Sequence, residues 1–553
     1  MKKTLKKSSI LYVVRFTIWA VLAAFLWYCF IKGLLNLSFK DGIEASKVRI
    51  VFSEILIVLN GVFIAYFWLN GVKDFIYVIW YYCVKGRLAK RYRPVIDRDV
   101  SKANDRILFL YCTCNDFDGN SLLGCRHQKY KNYKVVILDD STKQEYIDEI
   151  DKFGLEHNVK IVRRENHIGF KAGNINHYLR SPEVKGTYDY CVILDSDEII
   201  PDDFITSALK YFYYYQNVGI VQANHVSDRN CNLFRKLFHI GVNSHWPTYQ
   251  SRKHRYGFST RLGHGARIKR ECYEEAGGFP PRVAEDLCLS IESRNHGYLV
   301  AFAPEIICKE EYPIDYFAFK KRHSKWTQGN LEFIKKYTGK IVKSKRKWYE
   351  KWDIVLFTYN LPLTAIFAFY IFLNLIALPL LGVNLRSIYQ TWMIIPTVIF
   401  FFSPRLNDFI TWVFQINPIR SICYFFLVII LYGSRLTTSL RSALLGRLGK
   451  KAKFIVTPKS SEKITILKAL RFQIPELVFS SLLLAVSLIF SKSVMPVILI
   501  IATGYLSFFL AFLSNKKYTK EEYSKDDAKT TAISLKLNNA YQYKNRLTQP
   551  NQK

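Results

Sequence analysis

Long apolar stretches bracket a central region that has none. Residues 10–35 and 50–69 each hold enough consecutive apolar side chains to cross a bilayer as a helix. Residues 75–84 are fewer and more aromatic, which predicts a segment at the membrane interface. The basic run 85–93 then indicates a return to the cytoplasm. We therefore predict an N-terminal membrane region over residues 1–93, whose first span is uncleaved because no small-residue cleavage site follows it.

Apolar stretches resume after residue 352 and predict a second membrane region over 346–515. Residues 419–448 are apolar in their first half and basic in their second. The lysine-rich segments 450–463 and 516–525 should both be cytoplasmic, which requires an even number of crossings after the central region. We therefore interpret 419–448 as largely an amphipathic interface helix, which gives about six spans in total. The predicted crossings here are 354–381, 388–402, 472–490 and 494–513, followed by a polar cytosolic tail over 516–553.

The central region, residues 94–345, has the pattern of a cytosolic α/β domain. Short apolar runs alternate with amphipathic stretches, which favours a parallel sheet with helices packed on it. The candidate strands are 107–112, 134–138, 159–162 and 190–194.

Composition supports a membrane protein with a large soluble part, since hydrophobic residues make up 50% of the chain and charged residues 22%. The formal net charge of +34 admits nucleic-acid binding as one interpretation. However, the lysines and arginines flank the apolar stretches, as expected beside anionic cytoplasmic lipid, and no motif that reads RNA or DNA is present. We expect a multi-pass protein of the plasma membrane that does not bind nucleic acid.

Asp195 and Asp197 end the apolar run of the fourth candidate strand. Side chains at i and i+2 of a strand point to the same face, so the two carboxylates should converge. Paired carboxylates suit a hard cation, Mg²⁺ or Mn²⁺, which in turn suits a substrate diphosphate. The alternative is a pair of aspartates that cap a turn.

Other polar groups follow the first two strands. Thr113, Asn115 and Asp116 end the first strand, and Asp139 and Asp140 end the second. Ligands of open parallel sheets bind beyond the carboxyl ends of the strands, so these groups should share one edge with the aspartate pair.

The segment between the third and fourth candidate strands contains Lys171, Gly173 and Asn174. Its glycines permit close backbone approach, and the lysine can offer positive charge to a phosphate. The alternative is an ordinary start of a helix with Asn174 as its cap.

Two groups of residues farther along are candidates for catalysis and acceptor binding. Glu285 and Asp286 are either a helix N-terminus or a base that takes a proton from an attacking hydroxyl. Aromatic and polar residues before the second membrane region either anchor a helix at the interface or contact a sugar. The acceptor candidates are Gly263, His264, Gly265, Trp326, Gln328, Gly329 and Asn330.

The order of these motifs over residues 106–459 resembles the membrane-embedded, processive, inverting glycosyltransferases of family 2, which include bacterial cellulose synthase catalytic subunits and glucan and capsular polysaccharide synthases. The resemblance implies a GT-A-like (Rossmann-like) domain in which Asp116 and Asp139 hold the nucleotide and Asp195 and Asp197 contact nucleotide and metal. It implies Asp286 as the general base. The family's Q-x-x-R-W motif is only partly present: Gln328 matches its glutamine, an acceptor contact in the family, but Leu331 and Glu332 replace its Arg and Trp.

A second resemblance lies in residues 453–459, which match the F-x-V-T-x-K gating loop of cellulose-synthase-like enzymes. It implies that Thr457 and Lys459 reach the diphosphate of the bound donor. A basic loop between membrane helices is the alternative.

Together these features predict a hexosyltransferase that builds a β-linked polysaccharide from a UDP-sugar and exports the growing chain through the bilayer. UDP-glucose is the first choice of donor and UDP-N-acetylglucosamine the second. Two alternatives stay open: transfer of a single sugar to a lipid or protein, and a transporter with a nucleotide-sensing domain. Few acidic residues lie in the predicted spans, which speaks against an ion-coupled carrier. The sequence leaves the oligomeric state open.

Overall fold

The computed structural model describes residues 2–40, 46–384, 388–413, 418–448 and 462–538. A seven-stranded sheet forms the centre of the region between the two membrane segments. The four predicted strands are present, with ends that agree within about one residue. The strands are β1 (Ile107–Thr113), β2 (Tyr133–Asp139), β3 (Lys160–Val162), β4 (Tyr190–Asp195), β5 (Val218–Asp228), β6 (Ala266–Lys269) and β7 (Leu299–Glu311).

The strand order is β3-β2-β1-β4-β6-β5-β7, with β6 antiparallel to both of its neighbours. The predicted α/β fold class is confirmed, although the sheet is not parallel throughout. The sheet is mixed because β6 is a four-residue strand that enters between β4 and β5 from the opposite direction. Strand β5 is buried along its whole length although it contains Gln222, Asn224 and His225, so it lacks the apolar pattern that reveals a strand.

The register of the parallel strands aligns their carboxyl ends. Thr113 pairs with Asp139, and Cys112 pairs with Asp195, so the polar groups that follow β1, β2 and β4 share one edge of the sheet. Helices cover both faces of the sheet, over cores that include Phe109 on one side and Ile193 on the other. The helices of this region are α3 (Gly119–Arg126), α4 (Gln144–His157), α5 (Phe170–Leu179), α6 (Phe204–Tyr214), α7 (Leu233–His245), α8 (Ser251–Tyr256), α9 (Arg270–Glu275), α10 (Glu285–Asn295) and α11 (Tyr316–Lys343).

Six helical segments among the described residues are long and apolar enough to cross a membrane, and they flank the sheet domain in sequence. They are Ile10–Leu35, Lys47–Ile96, Thr391–Trp412, Ser421–Gly446, Ile466–Ser491 and Ile498–Asn515. The helices outside the sheet domain are α1 (Ile10–Leu35), α2 (Lys47–Ile96), α12 (Trp348–Thr358), α13 (Asn360–Leu380), α14 (Ile394–Trp412), α15 (Pro418–Gly433), α16 (Arg435–Arg447), α17 (Ile466–Val486), α18 (Ile498–Leu510) and α19 (Lys520–Asn538).

The predicted number of spans agrees with this count, but three assignments differ. Helix α2 runs unbroken for 50 residues, so 75–84 is not a separate interface element; the helix meets no proline before Pro94. The predicted crossing 354–381 is divided between α12 and α13, and only Ile366–Leu380 is a short apolar helix. Conversely, Ser421–Gly446 qualifies as a span, against the interface interpretation of 419–448.

The basic half of that segment, α16, packs on α11. The hydroxyl of Tyr316 donates to Ser434 Oγ at 2.7 Å, and His323 Nε2 lies 2.9 Å from Ser439 Oγ. Part of the predicted tail is helical: α19 covers Lys520–Asn538, and Asp527 accepts a hydrogen bond from the backbone N–H of Arg229 at 2.8 Å. This contact fixes α19, which lies within the predicted polar tail, against the domain.

Candidate active site

Asp116, just beyond β1, links the first strand end to the aspartate pair. Its Oδ1 accepts hydrogen bonds from Thr113 Oγ1 at 3.0 Å and from the Cys114 N–H at 2.8 Å. Its Oδ2 accepts one from Ser196 Oγ at 2.7 Å. Because Ser196 lies between Asp195 and Asp197, the contact holds the ends of β1 and β4 in a fixed relation.

Asn115 joins the first strand end to the second. It has a φ of +57°, a left-handed conformation that asparagine tolerates. Its Oδ1 accepts hydrogen bonds from the N–H groups of Thr142 and Lys143, both at 2.9 Å. The structure thus places this predicted nucleotide contact in the loop that braces the cleft.

Asp139 and Asp140 both face arginines that the sequence analysis did not single out. Arg163 Nε donates to Asp139 at 2.7 Å, and Arg164 donates to Asp140 through Nε at 2.8 Å and Nη2 at 2.6 Å. The Asp139 side chain has no exposed surface, and that of Asp140 is 9% exposed. Contact between Asp139 and a bound nucleotide would therefore require Arg163 to move.

Lys171 connects the aspartate pair to the loop before β6. It lies in the first turn of α5, forms an ion pair with Asp195, and donates to the carbonyl oxygen of Gly263 at 3.3 Å. Burial opposes ionisation of Asp195, but the charges of Lys171, His264 and Arg261 hold its pKa below the usual range. The Asp195 carboxylate is therefore ionised at neutral pH.

The other two predicted residues of this segment, Gly173 and Asn174, do not face the cleft surface. A Cβ on Gly173 would lie 2.0 Å from the carbonyl oxygen of Ile168, so this glycine serves close packing of α5 on the preceding loop. Asn174 is 2% exposed inside the helix. It is not the cap, because α5 begins at Phe170 with Gly169 at the cap position.

Glu285 and Asp286 form the first turn of α10, where the helix N-terminus favours negative charge. Asp286 is the more exposed of the two, and it accepts a hydrogen bond from the N–H of Leu287 at 2.7 Å. Glu285 is 8% exposed and lies 3.8 Å from the fully buried Arg261. Burial raises the pKa of both carboxyl groups, and repulsion by Asp286 adds to the rise for Glu285, although Arg261 acts in the opposite direction. A carboxylate with a raised pKa suits a general base.

Arg261 connects the pair to the aspartates of β4. Its guanidinium donates to the carbonyl oxygen of Gly263, which also accepts from Lys171. The charge of Lys171 in turn acts on Glu285. The structure therefore brings the region after β4 and the start of α10 into one cleft.

The aspartate pair fits a hard divalent cation. Asp195 is 37% exposed at the cleft, and Asp197 is half-buried, with its Oδ2 accepting a hydrogen bond from the Glu311 N–H at 3.3 Å. Both residues offer carboxylate oxygen, the ligand type that Mg²⁺ and Mn²⁺ prefer. The ammonium of Lys171 forms an ion pair with Asp195, so a bound cation would share this carboxylate with the lysine.

Helix α11 borders the cleft with the predicted acceptor residues. Gly329 packs on Ala284, the residue before Glu285 and Asp286; a Cβ on Gly329 would be in ordinary van der Waals contact with the Ala284 Cβ, at 3.5 Å. Trp326 is 46% exposed and lies under the guanidinium of Arg322 at 4.5 Å. Gln328 and Asn330 are half-buried on the same helix. Lys325 also lies within the electrostatic influence of Asp195 and Glu285. Burial lowers the pKa of Lys325, and the two carboxylates act in the opposite direction.

In the loop before β6, Gly263 supplies the shared carbonyl, while His264 points to Glu198 and Glu310. Thr457 and Lys459 of the gating motif lie outside the described residues. Sequence reasoning missed Arg163, Arg164 and Arg261, although each stands within a few residues of a motif. The signal that could have found these three arginines is the number of acidic residues in the motifs, since buried carboxylates require basic side chains nearby.

Residues 190–404 of this chain match the family model described as "Glycosyl transferase family group 2". This stretch extends from β4 through the aspartate pair, the acidic pair and α11 into α14. Residues 190–404 therefore resemble a family 2 glycosyltransferase domain, which supports the resemblance drawn from the motifs.

Curated relatives include two proteins of Arabidopsis thaliana. Probable glucomannan 4-beta-mannosyltransferase 11 is 28% identical over 38% of this chain and 49% of its own length. Glucomannan 4-beta-mannosyltransferase 2 is 27% identical over 41% of this chain and 43% of its own. The chain thus spans about half the length of the curated relatives it matches. Among solved structures, the mannosyltransferase PcManGT from Pyrobaculum calidifontis, in complex with GDP-Man and Mn²⁺, is 16% identical with a TM-score of 0.38, over 70% of this chain and all of that one.

Proposed function

We propose that this chain, with its family 2 glycosyltransferase domain between membrane helices, is a processive inverting hexosyltransferase that builds a β-linked polysaccharide and passes it through the membrane. The observation that carries the proposal is the shared cleft of Asp195, Lys171, Arg261 and the Glu285–Asp286 pair at the carboxyl edge of the sheet. Acidic and basic groups from separate segments meet where an open α/β sheet binds its ligand.

The reaction proposed here is a single displacement at the anomeric carbon of the donor sugar. Asp286 takes the proton of the acceptor hydroxyl, whose oxygen bonds to that carbon as the bond from the carbon to the diphosphate oxygen breaks. The nucleoside diphosphate leaves with the electron pair, and an α-linked donor gives a β-linked product. Asp195 and Asp197 would hold Mg²⁺ or Mn²⁺, which when bound supplies positive charge to the leaving diphosphate.

Neighbouring residues are assigned supporting roles. Lys171, now paired with Asp195, would offer charge to the donor phosphates, with Thr457 and Lys459 closing over them. Trp326 and Gln328 on α11 would line the acceptor side, since an exposed aromatic face suits a pyranose ring. Arg163 would hold Asp139, and Arg164 would hold the loop that leads to Lys171.

The donor is a nucleoside-diphosphate hexose, and two sugars compete for the assignment. UDP-glucose is favoured by the motif resemblance to glucan synthases. Mannose is favoured by the curated relatives, which are named glucomannan 4-beta-mannosyltransferases. The product under either assignment is a β-linked glucan or mannan.

We propose that the catalytic domain, residues 94–345, lies on the cytoplasmic side of the plasma membrane. Nucleotide sugars are available to it from the cytoplasm. The flanking regions 1–93 and 346–515 would form the membrane path, and 450–463 the gating loop. The number of apolar helices and the basic segments beside them support this arrangement.

The test is incubation of membranes containing the protein with radiolabelled UDP-glucose, UDP-N-acetylglucosamine or GDP-mannose, each with Mg²⁺ and with Mn²⁺. The proposal predicts a polymer from one donor that a β-glucanase or a β-mannanase digests. A label that ends on a lipid as a single sugar would establish the non-processive alternative. No transfer from any donor with either cation would contradict the assignment as a hexosyltransferase.

A further inference from the structure

A buried cluster of two histidines and two glutamates lies directly behind the aspartate pair. Its members come from four segments: Glu198 follows β4, His225 lies on β5, His264 precedes β6 and Glu310 lies on β7. The side chains of His225 and Glu198 have no exposed surface, and those of Glu310 and His264 are 7% and 12% exposed. The two imidazole rings stack with centroids 4.4 Å apart, and Trp246 lies 4.5 Å from the ring of His225.

Each carboxylate of the cluster faces one nitrogen of each ring. Glu310 lies 3.1 Å from His264 Nε2 and 3.7 Å from His225 Nδ1. Glu198 Oε1 lies 3.4 Å from His264 Nδ1 and 3.7 Å from His225 Nε2. Within the described part of the chain, both nitrogens of His225, Nδ1 of His264 and Oε1 of Glu198 are buried without a hydrogen-bond partner. A buried polar atom without a partner is costly to the fold, so the two unpartnered nitrogens of His225 indicate that the cluster binds a ligand.

We propose that His225 Nδ1, His264 Nε2 and a carboxylate oxygen of Glu310 bind a transition-metal cation, for which zinc is the best fit. The three ligand atoms lie within 4.8 Å of one another. Ligand atoms at about 2.0–2.1 Å from a tetrahedral zinc are about 3.3–3.4 Å apart, close to the 3.1 Å from Glu310 Oε2 to His264 Nε2 and the 3.7 Å from Glu310 Oε1 to His225 Nδ1. Two imidazoles and a carboxylate are common zinc ligands, whereas the aspartate pair offers only oxygen.

Glu198 completes the arrangement on the opposite side of the rings. With the Glu310-side nitrogens bound to metal, the other nitrogen of each ring carries a proton, and Glu198 Oε1 faces both. Metal-bound histidines commonly donate that proton to a carboxylate. Glu198 Oε2 already accepts a hydrogen bond from the Gly265 N–H at 3.0 Å, which fixes its orientation.

The Sγ atom of Cys308 lies near Glu198 and His225 and forms a second group of possible ligand atoms with them. This group shares only His225 with the three ligands proposed here.

Charge balance separates the proposal from its rival. Two buried carboxylates require positive charge, and a divalent cation balances both. The rival is a protonated His264 between the two glutamates, with the charge of Arg322 acting on Glu310 from α11. The rival leaves both nitrogens of His225 without partners, whereas the metal satisfies one and turns the other toward Glu198.

The site would fix the aspartate pair to the acceptor side of the cleft. Glu198 is the residue after Asp197, and His264 belongs to the loop that Lys171 and Arg261 contact. A Cβ at Gly265 would lie 2.2 Å from His225 Nε2 and 2.6 Å from Glu198 Oε1, so only glycine leaves room for the cluster.

The test is the metal content of the full-length protein, purified in detergent and dialysed against buffer that contains Mg²⁺, measured by mass spectrometry. About one zinc per chain is expected in the wild type. Glu310→Gln and His225→Asn should lose it. His239→Asn, which replaces a buried histidine of α7 outside the cluster, should keep it. Asp197→Asn should also keep zinc, which separates this site from the cation of the proposed reaction.

A second measurement uses the wild type alone, so it does not depend on whether variants fold. Removal of zinc by a chelator followed by addition of Co²⁺ should give the visible absorption bands of tetrahedral cobalt. Wild-type protein with less than about 0.1 zinc per chain that also binds no Co²⁺ would overturn the site and favour the protonated histidine. Retention of zinc by Glu310→Gln would overturn the ligand assignment. Either result leaves the hexosyltransferase proposal standing.

Discussion

Replacing Arg164 by methionine should destabilise the α/β domain strongly, because this arginine holds several buried groups at once. Its Nε and Nη2 donate to Asp140 at 2.8 and 2.6 Å, and the two side chains are 4% and 9% exposed. It also donates to the carbonyl oxygens of Ile168 and Phe170 at 2.7 and 2.9 Å. These carbonyls belong to the loop that leads into α5 and positions Lys171.

The magnitude follows from burial. Loss of one partner of a buried ion pair costs about 3–5 kcal/mol, because the remaining charge stays buried without compensation. For a domain of this size, about 2–4 °C of thermal midpoint corresponds to 1 kcal/mol, so the midpoint should fall by about 6–20 °C. Methionine preserves much of the apolar stem, so the loss reports the polar contacts.

The assay is thermal unfolding of the detergent-purified protein, followed by tryptophan fluorescence. Lys129→Met is the matched control, because Lys129 pairs with Asp202 at 2.8 Å but the side chains are 67% and 54% exposed. That pair is exposed to solvent and screened by it, so the control should shift the midpoint little. In Arg164→Met/Asp140→Asn the buried charge is gone, and the loss should be smaller than the sum of the single variants. Equal midpoints for Arg164→Met and Lys129→Met would refute the reasoning.

Three further predictions concern the cleft. Since burial raises the pKa of Asp286 and the base must be ionised, kcat/KM should fall as pH drops through a value above that of an ordinary aspartate; a pH profile with its acid limb near pH 4 would contradict this. Burial and Asp286 raise the pKa of Glu285, so its ionised form destabilises the fold. At pH values above this raised pKa, Glu285→Gln should therefore have a higher thermal midpoint than the wild type. The difference should vanish at pH values below the ordinary glutamate pKa of about 4.3. Gly265→Ala should lower the midpoint by several degrees, because φ is +58° and the new Cβ would clash with His225; an unchanged midpoint would count against the packing described.

The sequence was sufficient to predict where the strands end. It was insufficient to predict the buried polar side chains that contact the groups at those ends. Apolar runs locate β1, β2 and β4, and strand geometry alone predicts that Asp116, Asp139 and Asp195 share an edge. Strand β5 escaped notice because its polar His225 is buried by partners from β7 and from the loops around it, and such long-range contacts leave no local pattern. Similarly, nothing near Arg261 reveals that it would neutralise Glu285, 24 positions away.

The membrane segments show the same division. Hydropathy locates apolar stretches, but helix continuity depends on the residues between them. Helix α2 continues through 75–84 because its side chains pack on neighbouring helices and no proline intervenes. The second half of 419–448 is basic and nevertheless helical, because Ser434 and Ser439 find polar partners in Tyr316 and His323 of α11.

The most direct test of the central claim compares polymer synthesis and donor binding in Asp286→Asn, with Glu285→Gln as the matched neighbour. Loss of a general base should reduce polymer formation by about 10²–10⁴-fold, while the Kd for the nucleotide donor stays within a few-fold of the wild-type value. Glu285→Gln should retain far more activity, because Glu285 faces Arg261. Polymer synthesis by Asp286→Asn at the wild-type rate would contradict the account.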